Sequence, residues 1–287
     1  MEKDYIHRIN QAVDFIYLHI DQNLTVEDIA NYCCFSRYYF NRLFRSVTGE
    51  SIYGFIKRLK LEMAAFKLRS TRRTITEIAI DAGYTPSNFA SAFKEYFKMS
   101  ASAFRKSHNV LVKDTYQAVI EYINNLKDRD NFFEQIDSRV VIKVLGPMIL
   151  EYHRFFGNYY QGLKEAWESF CMEMEQKYTL DKQARFIGIS YDTPLITDPD
   201  HCMYDMCLQV DKKTCTTVHR LEAGTYACYQ FHDKQENLIR GYQELLSLWV
   251  PFSKYDLDDR FCLEVYHSGI DTEGRLHLDI CIPVRPL

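Results

Sequence analysis

Apolar residues in the first hundred positions recur at i, i+3, i+4 and i+7, the period of one buried helical face. Ile6, Ile9, Val13, Ile16 and Ile20 mark an opening amphipathic helix. Leu24-Thr25-Val26-Glu27-Asp28-Ile29-Ala30 begins a second, with Thr25 as N-cap and Asp28 in place of the usual Glu of a capping box. A short turn at Cys33 to Phe35 leads to Ser36, placed to cap a third helix whose buried face carries Phe40, Leu43, Phe44 and Val47. The opposite face carries Tyr38, Asn41, Arg42 and Arg45. One aromatic, one amide and two guanidinium groups suit base edges and phosphates in a DNA major groove, although a solvated surface explains the same composition.

Gly49 ends that helix and Ser51 caps the next, which runs to about Arg69. Its apolar residues are Ile52, Phe55, Ile56, Leu59, Met63 and Phe66, and its other faces carry Lys57, Arg58, Lys60 and Lys67. At 1.5 Å per residue it makes a rigid spacer of roughly 28 Å. Beyond it the pattern returns at an offset of 49 residues: Ile29-Ala30 as Ile78-Ala79, Phe35-Ser36 as Tyr84-Thr85, Phe40 and Phe44 as Phe89 and Phe93, Ser51 as Ser100, Phe55 as Phe104. Two copies of one helix-turn-helix joined by a stiff helix are hard to explain as a solvated face. Successive major grooves on one side of B-DNA lie about 34 Å apart, close to what such a spacer bridges.

From Arg139 the period becomes strand-like. Val140 to Leu145, Ile149 to Phe155, Phe186 to Tyr191 and Tyr204 to Val210 read as strands, with a helix from about Gln161 to Lys177 among them. The arrangement repeats as strands at Val218 to Leu221 and Tyr226 to Phe231, a helix from Asn237 to Trp249, and strands at Phe261 to Tyr266 and His277 to Val284. Tyr204-Asp-Met-Cys-Leu-Gln-Val210 aligns with Leu278-Asp-Ile-Cys-Ile-Pro-Val284, which predicts two similar β-β-α-β-β halves with their sheets meeting around a shared cleft, a favoured place for a ligand. Aligning Phe186 with Phe261 sets Ile189 against Glu264. Strand alternation puts Glu264 on one face with Cys262 and Tyr266. That carboxylate is either on a solvated face or in the cleft awaiting a cation or donor, because a buried unpaired carboxylate is costly.

At 287 residues the chain is expected to hold two domains, and no run of 18 apolar residues is present to cross a membrane. Met1 to Asn10 has no apolar run of a signal peptide. The nine scattered cysteines read as reduced cytosolic thiols. The net charge of −4 hides an asymmetry: 16 Lys and Arg against 11 Asp and Glu through Ser107, then 19 against 28. A basic first part fits a polyanion partner, and an acidic second part needs another task. Asp198-Pro-Asp-His-Cys202 has metal-ligand types in the composition of a surface loop, so no metal or other cofactor is expected. The H-E-x-x-H and G-x-S-x-G motifs are absent.

Residues from about Arg8 to Arg105 resemble the DNA-binding domain of the AraC/XylS family of bacterial transcription regulators. The residues that carry the resemblance are Ile29-Ala30, Phe35-Ser36-x-x-x-Phe40-x-x-x-Phe44, Gly49-x-Ser51, Ile78-Ala79, Gly83-Tyr84, Phe89-x-x-x-Phe93-Lys94 and Ser100-x-x-x-Phe104-Arg105. The resemblance places groove contacts on Tyr38, Asn41 and Arg42, beside Arg37 and Arg45. In the second copy Ser87, Ala90, Ser91 and Lys94 stand at the matching positions, and an arginine is common in the family where Ser91 stands. Lys98 and Ala101 replace the family's usual Gly and Pro. The first helix is therefore expected to read sequence, and the second mainly to grip backbone through Lys94, Lys98, Arg105 and Lys106, with Ser87, Asn88 and Ser91 as further DNA-binding positions.

The acidic part resembles the gyrase-inhibitor-like effector-binding domain that follows such heads in some multidrug-responsive regulators. That resemblance rests on Tyr191-Asp192-x-Pro194, Leu221-x-x-Gly224-x-Tyr226-Ala227, Leu248-Trp249-x-Pro251, Glu264-x-Tyr266 and Ile282-Pro283-Val284. It implies that Glu264 lines a pocket and neutralises cationic, often aromatic, ligands. Trp249, Tyr226, Tyr229, Tyr152 and Tyr266 are candidate pocket residues, and core packing explains the first four at least as well. The expected protein is multidomain: an all-α double helix-turn-helix domain over 1–107, a helical linker over 108–138, and an α+β domain of two β-β-α-β-β repeats over 139–287. Its expected role is that of a cytoplasmic transcription activator, not an enzyme, with double-stranded DNA, a small cationic amphipathic effector and RNA polymerase as partners and no membrane. A small-molecule hydrolase using Glu264 as base and a protein-interaction module remain alternatives for the second domain.

Overall fold

The computed structural model describes residues 2–22, 24–106, 129–181, 184–193, 196–211 and 218–287. The chain divides into two compact units, Met1–Leu111 and Val112–Leu287. The helix expected around Tyr116 to Ile123, and most of the 108–138 linker, lie outside the described residues.

The first unit is helical: α1 (Glu2–Leu18), α2 (Val26–Tyr32), α3 (Arg37–Thr48), α4 (Ile52–Ser70), α5 (Ile75–Asp81), α6 (Pro86–Phe97) and α7 (Ala101–Lys106). Thr25 and Asp28 form a reciprocal capping box at α2, and Thr74 and Glu77 form one at α5. Ser36 makes no side-chain cap bond at α3, whereas its counterpart Thr85 accepts from the Asn88 backbone at α6. The duplication extends to side-chain geometry. Phe44 meets Phe55 edge-on at 5.4 Å and 82°, and Phe93 meets Phe104 at 5.4 Å and 81°. It extends to the backbone too, since the left-handed turn residues are Cys34 (φ 57°) and Gly83 (φ 77°), then Gly49 (φ 80°) and Lys98 (φ 57°).

In each of those pairs glycine stands in one copy and a side chain in the other. A Cβ in the left-handed region costs roughly 1–2 kcal/mol. Lys98→Gly is therefore expected to stabilise the first unit by about 1 kcal/mol, seen as a higher midpoint in chemical denaturation. A lower midpoint would show that the Lys98 side chain contributes more than its backbone costs.

Arg58 does not stand on a polar outer face of α4. It is buried, donating to Glu50 Oε1 through Nε (2.9 Å) and Nη2 (2.7 Å) and to Glu62 Oε2 through Nη1 (2.8 Å), while Tyr96 Oη of α6 donates to Glu62 Oε1 (2.6 Å). The network ties the end of the first helix-turn-helix to the second through the spacer helix.

The second unit holds α8 (Arg129–Asp137), β1 (Val140–Leu145), β2 (Met148–Phe156), α9 (Leu163–Lys177), β3 (Phe186–Ser190), β4 (Met203–Gln209), β5 (Val218–Leu221), β6 (Gly224–Lys234), α10 (Leu238–Gln243), β7 (Tyr255–Leu257), β8 (Cys262–Ser268) and β9 (Arg275–Pro286). The expected helix 237–249 is regular only over α10 and continues as a π turn over Glu244–Trp249. All strand pairs are antiparallel in the order β1-β6-β9-β8-β3-β4-β2-β5, with β7 added against β9. The strands thus form one continuous sheet joined at β3 and β8, not two sheets facing across a cleft.

Connectivity curls that sheet. β1 and β2 are six places apart in the order but joined by two residues, as are β5 and β6. A flat sheet with strands about 4.8 Å apart would separate β1 from β2 by roughly 29 Å, while so short a link spans only about 10 Å. The ends must therefore approach each other. Leu150, Tyr152, Ile187, Ile189, Cys207, Tyr226, Cys228, Leu263 and Cys281 fill the inner face. On the outer face α9 buries Leu163, Phe170 and Met174 against Tyr204, Met206 and Leu208.

Candidate functional site

In the first unit, α3 presents Arg37, Tyr38, Arg42 and Arg45 to solvent, with Tyr38 76% exposed. Asn41 is half-buried and its Nδ2 donates to the Arg37 carbonyl at 3.2 Å, so free α3 keeps this amide folded against its own turn. On α6 and its end, Ser87, Asn88, Ser91, Lys94 and Lys98 are all exposed. Arg105 departs from the expectation. Its Nε donates to the Leu68 carbonyl at 3.0 Å and its Nη2 to the Arg73 carbonyl at 2.5 Å, where it satisfies carbonyls around the end of α4. A guanidinium committed to two backbone acceptors is a strut, not a free phosphate contact; Lys106 beside it is exposed.

In the second unit, Glu264 lies on the outer face of β8, 2% exposed. Tyr204 (2.6 Å) and Tyr266 (3.0 Å) donate to its Oε2, and Tyr242 of α10 donates to its Oε1 (3.0 Å). Trp167 of α9 meets Tyr266 edge-on at 5.1 Å and Tyr204 at 6.2 Å, and its indole Nε1 is buried with no hydrogen-bond partner among the described residues. The carboxylate is thus the floor of an aromatic ring set between the two helices. Trp167, Tyr242 and Tyr266 at its rim are only half-buried. Burial pushes the Glu264 carboxyl up, and the three tyrosine hydroxyls only partly counter it. All three hydroxyls are held well above their ordinary pKa by burial and by the carboxylate.

Two matches to known families align with these two surfaces. The helix-turn-helix domain matches residues 29–107, and the GyrI-like small molecule binding domain matches residues 139–285, just over half of the chain. The regulatory protein SoxS of Salmonella typhimurium is 35% identical over 98 residues, covering 34% of this chain and 92% of SoxS. The chain is an AraC-family regulator with a GyrI-like domain. The transposon Tn10 TetD protein of Escherichia coli is 35% identical over 100 residues, 34% of this chain and 72% of TetD. The solved C-terminal domain of AraT from Geobacillus stearothermophilus is 32% identical and covers 34% of this chain and 84% of that one, with a TM-score of 0.33.

Within the GyrI-like domain the expected pocket residues divide. Tyr266 bonds Glu264, but three of the others lie elsewhere. Tyr152 is on the inner face, stacked on His219 at 3.9 Å and 12°. Tyr226 is on the same inner face under the Arg260 guanidinium at 4.8 Å. Trp249 donates from Nε1 to Asp137 Oδ1 at 2.7 Å and stacks on Tyr255, binding α8 to the π turn. Tyr229 shares the outer face and, through Ile280, the cross-strand row of Glu264, but its hydroxyl donates to Glu244 Oε2 at 2.6 Å. Parity explains the first two, since one residue along a strand changes the face.

The same rule puts the two aligned positions, Ile189 and Glu264, on opposite faces of the sheet. Gly188 is the cross-strand partner of Glu264, while Ile189 pairs with Leu263 on the inner face. Sequence periodicity did not single out Tyr204, Tyr242, Trp167 or Gly188. Gly188 is needed where it stands because a Cβ there would lie 1.7 Å from Tyr204 Oη and 2.5 Å from Cζ. Gly188→Ala is expected to push the Tyr204 hydroxyl off Glu264 and to cost about 1–3 kcal/mol from overpacking. Tyr204→Phe should relieve part of that cost in a double-mutant cycle of denaturation midpoints, and strict additivity would refute the contact.

Among the described residues no helix is long and apolar enough to cross a membrane.

Proposed function

We propose that this AraC-family regulator is a cytoplasmic activator that reads DNA chiefly through α3 and is controlled by a cationic, amphipathic small molecule bound over Glu264. The carrying observation is that a buried carboxylate faces only neutral tyrosine hydroxyls among the described residues. Such a group lacks a cation, and a ligand cation placed over it gains Coulomb attraction in a weakly screened setting and stacking on the aromatic rim. The unpartnered Trp167 Nε1 offers one donor to an acceptor on the same ligand. RNA polymerase is the partner an activator requires. The strand order, which reads alike from both ends once the first strands of the halves are exchanged, supports descent of the domain from a duplicated β-β-α-β-β unit. Neither matched family description names a reaction, so binding is preferred to hydrolysis.

A thermal-shift screen of the full chain against cationic and neutral amphiphiles tests the effector reading: stabilisation by cations supports it, and no hit across a broad set contradicts it. The DNA reading separates two helices. Arg42→Ala is expected to relax base preference at one position of the site by about 1–3 kcal/mol. Lys94→Ala is expected to weaken all sequences alike and lower the slope of log K against log salt by about 1. Selection from a random duplex pool followed by salt titration measures both. If Ser91→Ala shifts site preference more than Arg42→Ala does, the assignment is wrong.

A further inference from the structure

Two buried cysteines meet on the inner face of the curled sheet, the face opposite Glu264. Cys228 of β6 and Cys281 of β9 are direct cross-strand partners, and Cys281 Sγ donates to Cys228 Sγ at 3.1 Å. Residues directly opposite in an antiparallel pair have Cα atoms about 4.5–5.5 Å apart, inside the range that a disulfide bridges. Bonding needs the two sulfurs to close to about 2 Å, a movement of roughly 1 Å that leaves the strand register as it is.

The two thiols are not equivalent. The hydrogen bond from Cys281 lowers the Cys228 thiol below its ordinary pKa against the cost of burial, and Lys143 lowers it further. The same hydrogen bond, together with burial, holds the proton on Cys281. Burial pushes the Cys33, Cys171 and Cys262 thiols up instead. The thiolate is the reactive form, so Cys228 is the nucleophile of the pair. The pair lies next to the open edge of the sheet. Val141, the partner of Cys228 on edge strand β1, is 55% exposed, and Lys143, whose charge acts on both sulfurs, is exposed as well.

We propose that Cys228 and Cys281 are a thiol pair that hydrogen peroxide oxidises to a reversible disulfide across β6 and β9. The Cys228 thiolate attacks one peroxide oxygen, so that an S–O bond forms as the O–O bond breaks, and the departing hydroxide takes up the proton lost by Cys228. The Cys281 sulfur then attacks the sulfenic acid on Cys228. The S–S bond forms as the S–O bond breaks, and hydroxide leaves with the Cys281 proton as water. Two thiols thus give up two electrons and two protons, and one peroxide becomes two waters. A dithiol reductant restores the pair by exchange. In a reducing compartment such a bond is transient and redox-sensing, not a permanent staple. It lies one residue from Ile280, whose cross-strand partners are Tyr229 on β6 and Glu264 on β8, so oxidation stiffens the sheet beside Glu264.

The test is a hydrogen peroxide titration of the reduced full chain, raised until the exposed Cys34 is oxidised, quenched with N-ethylmaleimide in denaturant and mapped by mass without reduction. The expected product is a peptide pair linked through Cys228 and Cys281, about 2 Da lighter than the two thiols and reverted by dithiothreitol. Cys281→Ala should abolish the linked pair and leave a sulfenic acid on Cys228 that dimedone traps. Cys228→Ala should leave Cys281 without a dimedone adduct. Oxidation of Cys34 with Cys228 and Cys281 both still alkylated overturns the proposal, as does dimedone on Cys281 in place of Cys228.

Discussion

Replacing Asp205 with alanine is expected to destabilise the GyrI-like domain by about 3–5 kcal/mol, because it takes the carboxylate from the buried Arg154 guanidinium inside the curled sheet. Arg154 grips Asp205 with Nε on Oδ1 and Nη2 on Oδ2, both at 2.7 Å, and neither side chain reaches solvent. His219 Nε2 lies 2.6 Å from Oδ2, and the Tyr191 hydroxyl donates to the same oxygen at 2.7 Å. Burial alone would raise the Asp205 carboxyl, yet Arg154 and His219 hold it at about 2. A folded pKa below the unfolded value gives stability that is present above the unfolded pKa and is lost as pH falls through the folded one. The depression is worth about 2–3 kcal/mol at neutral pH, lost between roughly pH 4 and pH 2. Urea denaturation of wild type and Asp205→Ala from pH 7 to pH 2 checks both statements. A loss below about 1 kcal/mol, or a wild-type curve flat across that range, would contradict the role given to Asp205.

How far the sequence could lead depended on the range of the interaction. The double helix-turn-helix was legible because a period of 3.6 and a repeat of 49 residues are local properties. The same offset later appeared in the Phe44–Phe55 and Phe93–Phe104 contacts and in the left-handed turns. What sequence could not give was which polar side chain spends itself inside the fold. Arg58 and Arg105 read as surface cations, yet one is buried between Glu50 and Glu62 and the other holds backbone carbonyls. In the second domain the strands were legible by alternation and Glu264 by its resemblance. Its neighbours were not, since Tyr204 and Tyr242 reach it from 60 and 22 residues away, and Gly188 lies across from it through a β3–β8 register that no local pattern sets.

The effector claim rests on the charge of one carboxylate, and its consequences for affinity are specific. Glu264→Gln keeps the shape and removes the charge, so a ligand cation should bind at least tenfold more weakly, about 1.4 kcal/mol or more. A neutral ligand of the same shape should be little affected. The raised pKa of Glu264 fixes the pH dependence. Without ligand the folded state holds the proton more tightly than the unfolded one, so this group stabilises the domain at low pH and loses that contribution as pH rises through the raised value. A cation requires the ionised form, so its affinity should climb over the same interval and level off above it. The direct measurement is calorimetric titration of the full chain and of Glu264→Gln with N-methylacridinium and with neutral acridine at pH 7.5, repeated for the cation at lower pH. The account predicts tight, pH-dependent binding of the cation to wild type alone, and equal cation affinity in wild type and Glu264→Gln would contradict it.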